Sequence, residues 1–313
     1  MSSLMRYRVH HETLYTYGAD VLHSHQLLHL IPRPAPYQEC LEHSLTISPQ
    51  PYRRRDGRDA FDNPVTRIEL EHPHRELRVT SQMDITVHAR PALSAADSAP
   101  WEHVRARLAY RTEWPGRDDL EACRYRHESA HVRVKRAFTD YAADCFQTRR
   151  PILECCEALM AKLHRELRYA PGETTIGTPL LDVLESRRGV CQDFSHLMIA
   201  CLRSRGLAAR YVSGYVRLLP RADGRTLMGA AASHAWVAVY APPFGWVELD
   251  PTNDVRVATD HVALAWGRDF GDVSPLRGII LGGGTHDLDV NVQVEALPDR
   301  ERRAEPQSPP ARD

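Results

Sequence analysis

Three side chains in this chain have the types and local settings that could do chemistry together: Cys191, His234 and Asp250. Cys191 opens an apolar stripe in which Phe194, Leu197, Met198, Cys201 and Leu202 recur at helical spacing until Gly206. A shorter helix is predicted just before it, with Thr178 as N-cap, Pro179 at the first helical position, Arg187 and Arg188 in the last turn and Gly189 as the stop. A thiol in the first turn of a helix sees unpaired backbone N–H groups and the positive end of the helix dipole. Both favour thiolate and lower a thiol pKa from about 8.5 by one to several units. Burial as a core filler is the ordinary alternative for a cysteine. Downstream, Ser233–Tyr240 alternates like a half-buried strand, and Trp246–Leu249 follows a Pro242-Pro243-Phe244-Gly245 turn and runs into Asp250-Pro251-Thr252. A turn centred on Pro242 sets His234 and Asp250 directly opposite each other; one centred between Pro243 and Phe244 offsets them by ~10 Å. Pro251 biases Asp250 to an extended strand end.

In chain order, GVCQDFSHL, SHAWVAVY and GWVELDPTND resemble the transglutaminase-like superfamily, and more narrowly its bacterial branch with an N-terminal β domain. GETTIGTP before the cysteine helix, Ser213-Gly214-Tyr215, and GRDFGDVSPLRG after the hairpin add to the resemblance. It covers about Phe138 to Val294 and, more weakly, the first ninety residues. The fold implied is α+β: an N-terminal all-β, sandwich-like domain, then a papain-like core of helices packed on an antiparallel β-sheet. The reaction implied is acyl transfer from a peptide or protein amide through a thioester, with Cys191 as nucleophile, His234 as its base and Asp250 orienting the imidazole. Water or an amine can receive the acyl group, and in bacteria the resemblance points to hydrolysis ahead of cross-linking. No metal or cofactor is implied. A non-catalytic peptide-binding module on the same fold is the competing reading. The Cys191 N–H at the helix start is a natural oxyanion donor. Tyr169, in RYAPGETT, is a candidate for the second, with a packing role as the alternative.

The elements that position these groups divide the chain into an N-terminal β domain (1–90), a linker and helical connection (91–144), the core (145–297) and a charged, Pro-rich tail expected to be disordered (298–313). In the first part, Met5–Tyr17, Gln26–Ile31, Leu41–Ser48, Val65–Glu71 and Leu77–Val87 read as strands. Histidines 10, 11, 23, 25, 29, 72 and 74 scatter over them without a compact ligand set and read as surface groups. Trp101–Tyr110, Val132–Cys145 and Pro151–Leu167 read as helices, the last with Cys155 and Cys156 on its buried stripe. His196 falls about 500° around the helix from Cys191 and Asp193 sits where an acid supports a helix start, so both read as structural. His261 and Gly267–Gly278 could line the cleft. Gly282–Gly284 lacks the Lys-Ser/Thr of a phosphate loop, and Leu288, Val290, Val292 and Val294 alternate as a closing strand.

Across 313 residues, 40 Lys and Arg balance 41 Asp and Glu, so no bulk charge draws the chain to nucleic acid or an anionic membrane. The opening residues are charged and alternating, unlike a secretory signal, and a cytoplasmic location is expected. Seven cysteines without CxxC spacing fit neither a disulfide framework nor a structural zinc site. The oligomeric state is not readable.

Overall fold

A computed structural model describes residues 4–109, 116–217, 227–228 and 233–298. The hydrophilic stretch PRADGRT (220–226), whose composition reads as a turn, and nearly all of the expected disordered tail lie outside the described residues. The N-terminal strands are β1 (Leu4–Leu28), β2 (Gln38–Ser48), β3 (Arg53–Arg58), β4 (Pro64–Leu70) and β5 (His74–His88). Helices α1 (Trp101–Arg107), α2 (Arg117–Cys123), α3 (Arg136–Tyr141) and α4 (Ile152–Glu166) lead into β6 (Arg168–Tyr169), α5 (Leu180–Ser186), β7 (Arg188–Gly189) and α6 (Cys191–Ser204). Then come β8 (Ala209–Val216), β9 (His234–Tyr240), β10 (Trp246–Asp250), β11 (Val255–Arg256), β12 (His261–Gly267), α7 (Phe270–Val273), β13 (Leu276–Gly282) and β14 (His286–Leu297). Among the described residues no helix is long and apolar enough to cross a membrane.

The first sheet runs β2-β5-β1-β4-β3, with β13 and β14 also paired to β1. Two strands expected separately, Met5–Tyr17 and Gln26–Ile31, merge into the single strand β1, which runs on through residues 18–25 and ends at Leu28. The Gly18–Asp20 stretch between them does not break away, because the 283–285 segment bonds to it: Gly18 N–H to Thr285 O at 2.8 Å, Ala19 N–H to Gly283 O and Gly283 N–H to Asp20 O, both at 3.0 Å. Gly282, Gly283 and Gly284, all at positive φ, make that return between β13 and β14. The last strands of the expected 145–297 core pair with β1. β14 pairs residue by residue with Arg6–Tyr17 and β13 with the second half of β1, so 276–297 complete the N-terminal sheet. Pairing with β14 closes the edge that β5 leaves on the first half of β1.

That sheet is not a free-standing unit. Tyr7, Val9, Met83, Ile85 and Val87 belong to the same buried cluster as the helices, whereas Tyr17, Val21, Leu28, Ile68 and Leu77 form a second core at its far half. The surface reading fails for three of the histidines: His11, His29 and His74 are buried. His11 Nδ1 lies 2.8 Å from Tyr215 Oη, and His29 bridges Asp59 and the Ser274 carbonyl, so both tie the two halves of the chain together. His74 is bound to the His72 carbonyl.

The core sheet runs β11-β10-β9-β8-β12, antiparallel throughout. Helix α6 packs on β8 and β9 with almost its whole length buried, and α4 carries Cys155 and Cys156 inward. Two expected helices are trimmed. Val132–Lys135 stays out of α3 because Ser129 and Val132 exchange backbone hydrogen bonds and Val134 N–H turns to Glu128. Helix α5 begins one residue later than expected and ends at Arg187, which takes the left-handed conformation (φ 56°); Thr178 Oγ1 instead accepts from Thr175 N–H at 2.9 Å. The 91–144 segment, expected as a linker and helical connection, holds α1, α2 and α3.

Candidate active site

Cys191 is the first helical residue of α6 and is 8% exposed. The helix start is held by Asp193, whose carboxylate accepts from Val190 N–H at 2.8 Å and from the Thr174 hydroxyl at 2.7 Å. Gly189 makes room for it: a Cβ there would meet Asp193 Cβ at 2.7 Å. Asp193 is therefore a structural residue, as its position suggests. His196 is too: it faces away from the thiol side, accepts from Phe270 N–H at 3.1 Å and stacks on His131. Burial pushes the pKa of His196 down to about 3.

His234 opens β9, the central strand between β8 and β10. The hairpin register pairs Trp246 with Tyr240 and Leu249 with Val237, so its turn is centred on Pro243. Asp250 then lies opposite Trp236, one pleat along from His234 and on the same face. This register lies between the two that the turn residues allow, and the diagonal offset is short enough for a direct bond. His234 Nε2 is 2.8 Å from Asp250 Oδ2, with both side chains fully buried. Burial alone would push the His234 imidazole pKa down; the Asp250 charge and hydrogen bond, with a smaller contribution from the Cys191 thiol, outweigh it and raise it to about 10. The other ring nitrogen, Nδ1, is buried without a well-formed hydrogen bond, while the thiol acts on this ring by proximity.

Asp250 is held more heavily than the sequence indicates. Its Oδ2 also contacts His261 Nε2 at 3.2 Å and accepts from Asn253 Nδ2 at 2.7 Å, and its Oδ1 accepts from Thr252 N–H at 3.0 Å. Desolvation would raise its pKa, but the neighbouring imidazoles hold it well below the usual carboxylate range. The Asp-Pro-Thr-Asn run is an Asx-type turn, and that signal could have pointed to Asn253. His261 comes from β12, at the far edge of the sheet, and only strand order brings it to Asp250. One ring nitrogen of each histidine and a carboxylate oxygen of Asp250 all lie within 4.8 Å of one another, a set whose composition could hold a metal ion. Both histidines hydrogen-bond to the Asp250 carboxylate.

Tyr169 and Tyr211 complete the surroundings. Tyr169 pairs with Gly189 across the parallel β6–β7 ribbon, two residues before the cysteine. Burial, then the charges of Cys191 and Asp250, push its hydroxyl pKa up to about 12. Tyr211, which sequence reasoning missed, is buried on β8, and the same influence of Cys191 after burial raises it well above its usual value. Trp236 donates to Glu248 at 2.8 Å behind His234.

Two family descriptions match the chain: the bacterial transglutaminase-like N-terminal region over residues 7–86, and the transglutaminase-like superfamily core over 139–251. An uncharacterized protein of Mycobacterium tuberculosis is 36% identical over 305 residues, spanning 95% of this chain and 94% of that one. The chain belongs to the transglutaminase-like superfamily. A Mycobacterium leprae relative is 33% identical over 94% of this chain and all of its own length. A Pseudomonas aeruginosa protein-glutamine gamma-glutamyltransferase is 32% identical over 139 residues, 39% of this chain and 20% of that protein. A solved structure from Cytophaga hutchinsonii, described as a candidate cysteine protease, superposes with a TM-score of 0.71 at 18% identity, covering 95% of this chain and 92% of that one. This transglutaminase-like chain therefore shares its whole architecture with that structure, N-terminal sheet included.

Proposed function

We propose that the protein is a cysteine-dependent amide acyl-transfer enzyme acting on a peptide or protein. The observation that carries this reading is the buried His234–Asp250 bond at 2.8 Å beside a cysteine on the first turn of α6. Asp250 fixes Nε2, which leaves Nδ1 for the thiol, and an imidazolium there stabilises a thiolate. The Cys191 sulfur attacks the amide carbonyl carbon, and the oxyanion is met by the Cys191 N–H, with Tyr169 as the candidate second donor. The C–N bond breaks as His234 gives its proton to the departing amine, leaving a thioester. Water or a primary amine then attacks, returns a proton to His234 and expels the Cys191 thiolate. General acid–base help of this kind contributes roughly 10²–10⁴ in rate. The glutamine gamma-glutamyltransferase relative supports the amine route and the protease-like neighbour shows only the fold, so both acceptors stay within the proposal.

Iodoacetamide labelling followed by peptide mass spectrometry tests it. Cys191 is expected to react near neutral pH faster than a free thiol, and Cys191→Ala to remove turnover of an acyl donor while the protein stays folded. Labelling no faster than free cysteine, in a folded protein, would overturn the reading. Running the donor with and without a primary amine separates the routes, because only transfer yields the amine adduct.

A further inference from the structure

A cavity lies away from Cys191, where the N-terminal sheet meets the core, and its volume of about 590 Å³ is within the usual range for small-molecule sites. Its lining is dominated by one kind of group. Arg58 at the end of β3, Arg67 on β4, Arg124 after α2, Arg268 before α7 and Arg277 on β13 converge on it from five separate segments. Two aspartates share the lining, and both are already engaged. Asp59 accepts from His29, from the Asn63 side chain and from two backbone N–H groups, and Asp272 is held bidentately by Arg268.

How the arginines are held matters more than their number. Arg124 donates to the Ala60 carbonyl at 2.5 Å and Arg277 to the Gly271 carbonyl. A carbonyl orients a guanidinium without neutralising its charge. Arg124 and Arg268 also lie over the Phe61 ring, 5.0 and 5.7 Å from its centroid, which braces two of the groups against one apolar wall. Arg58 is shared with Asp62 at the exposed rim, and Arg67 has no side-chain partner among the described residues. Guanidinium groups held as forks, with spare donors and excess positive charge, match the oxygens of phosphate groups.

We infer that this junction cavity binds a small oligophosphate, an anion carrying two or more linked phosphate groups. The inference does not depend on the acyl-transfer reading, since none of its residues touches Cys191, His234 or Asp250. The test is calorimetric titration of the full chain with sodium pyrophosphate at fixed ionic strength, using citrate as a carboxylate comparison. Saturable one-to-one binding, tighter for pyrophosphate than for citrate, is expected. Arg67→Ser should weaken it about tenfold, the effect of losing one hydrogen bond to a charged group, and Arg277→Ser should do likewise. Arg53→Ser, on β3 but outside the cavity, should leave the affinity unchanged and controls for general charge. Absence of saturable binding, equal affinity for citrate, or equal weakening by Arg53→Ser would overturn the inference. Arg67 is exposed, and a circular dichroism melt matching the parent would show that the variant is folded.

Discussion

A protonated imidazole sealed against a carboxylate makes stability depend on pH in a definite direction. The His234 pKa is raised to about 10 in the folded state, so its contribution is fully present below the unfolded value of about 6.5 and is lost progressively as pH rises from there through about 10. Asp250 is depressed, so its contribution is present above the ordinary carboxylate range and is lost as pH falls below it. Urea unfolding from pH 4 to pH 10 is therefore expected to show a decline on the alkaline side that His234→Gln flattens. An unchanged alkaline slope in that variant would remove the charged pair from the account. His261 belongs to the same unit, because it shares Asp250 Oδ2 with His234. In the proposed reaction it would act through Asp250 as a positioning residue. His261→Phe should slow both turnover and Cys191 alkylation about tenfold with little change in KM, while His261→Gln, which keeps an N–H donor, should recover most of the loss. Cys191, His234 and Asp250 could be named from the residues alone, since each sits in a short motif with a local physical signature. His261 could be placed only near the cleft, not against Asp250, and Tyr211 not at all, because their neighbours are set by strand order and no local pattern records it.

At the scale of elements, two glycines set the spacing of the site, Gly189 against Asp193 and Gly214 in the core sheet. Gly214 lies where β8 is pressed between β12 and the Trp236 ring; a Cβ there would fall 2.1 Å from the Val262 carbonyl oxygen and 2.5 Å from the ring. Backbone cannot yield as a flexible side chain does, so Gly214→Ala is expected to cost on the order of 1–3 kcal/mol by urea unfolding. Asp193→Ala removes the acceptor at the start of α6 and should cost about 0.5–2 kcal/mol. It should also slow Cys191 alkylation, because the frayed turn is the one that carries the thiol. In the sequence Ser213-Gly214 looks like an interruption of the strand after Gly206, since glycine is weak in strands. The strand instead continues through it, and the glycine marks a close approach. The hairpin register shows the same limit: the proline turn narrowed the choices, and the ladder settled on the centre between them. Helices α4 and α6 were legible because their apolar periodicity is long, whereas β1 was cut in two by a glycine that its partner segment holds in line.

At the scale of the whole molecule, the N-terminal sheet finishes the edge of the core sheet. Strand β12 is that edge, and side chains from the first third of the chain take the place of a missing neighbour. Gln38 donates to the Ala263 carbonyl and accepts from the Ala263 N–H, both at 2.8 Å, while Asn63 bonds the Trp266 carbonyl at 2.9 Å and the Trp266 N–H at 3.0 Å. Arg33 lies 3.2 Å over the Trp266 ring. Sequence patterns could assign strands to this sheet but not these contacts, since an amide side chain standing in for a strand has no periodicity. Their placement has a consequence for the site, because β12 also carries His261 to Asp250. Gln38→Leu removes both partners of Ala263 and leaves a buried N–H and C=O unpaired, which is expected to cost about 1–3 kcal/mol. Hydrogen exchange should localise the change, with faster exchange of the Ala263 amide and its neighbours in β12 and little change in α4. Cys191 alkylation should slow in Gln38→Leu, and should slow no further when His261→Phe is added, because both substitutions act through the same bond to Asp250. Additive losses in the double variant would show that the N-terminal sheet influences the site by some route other than β12.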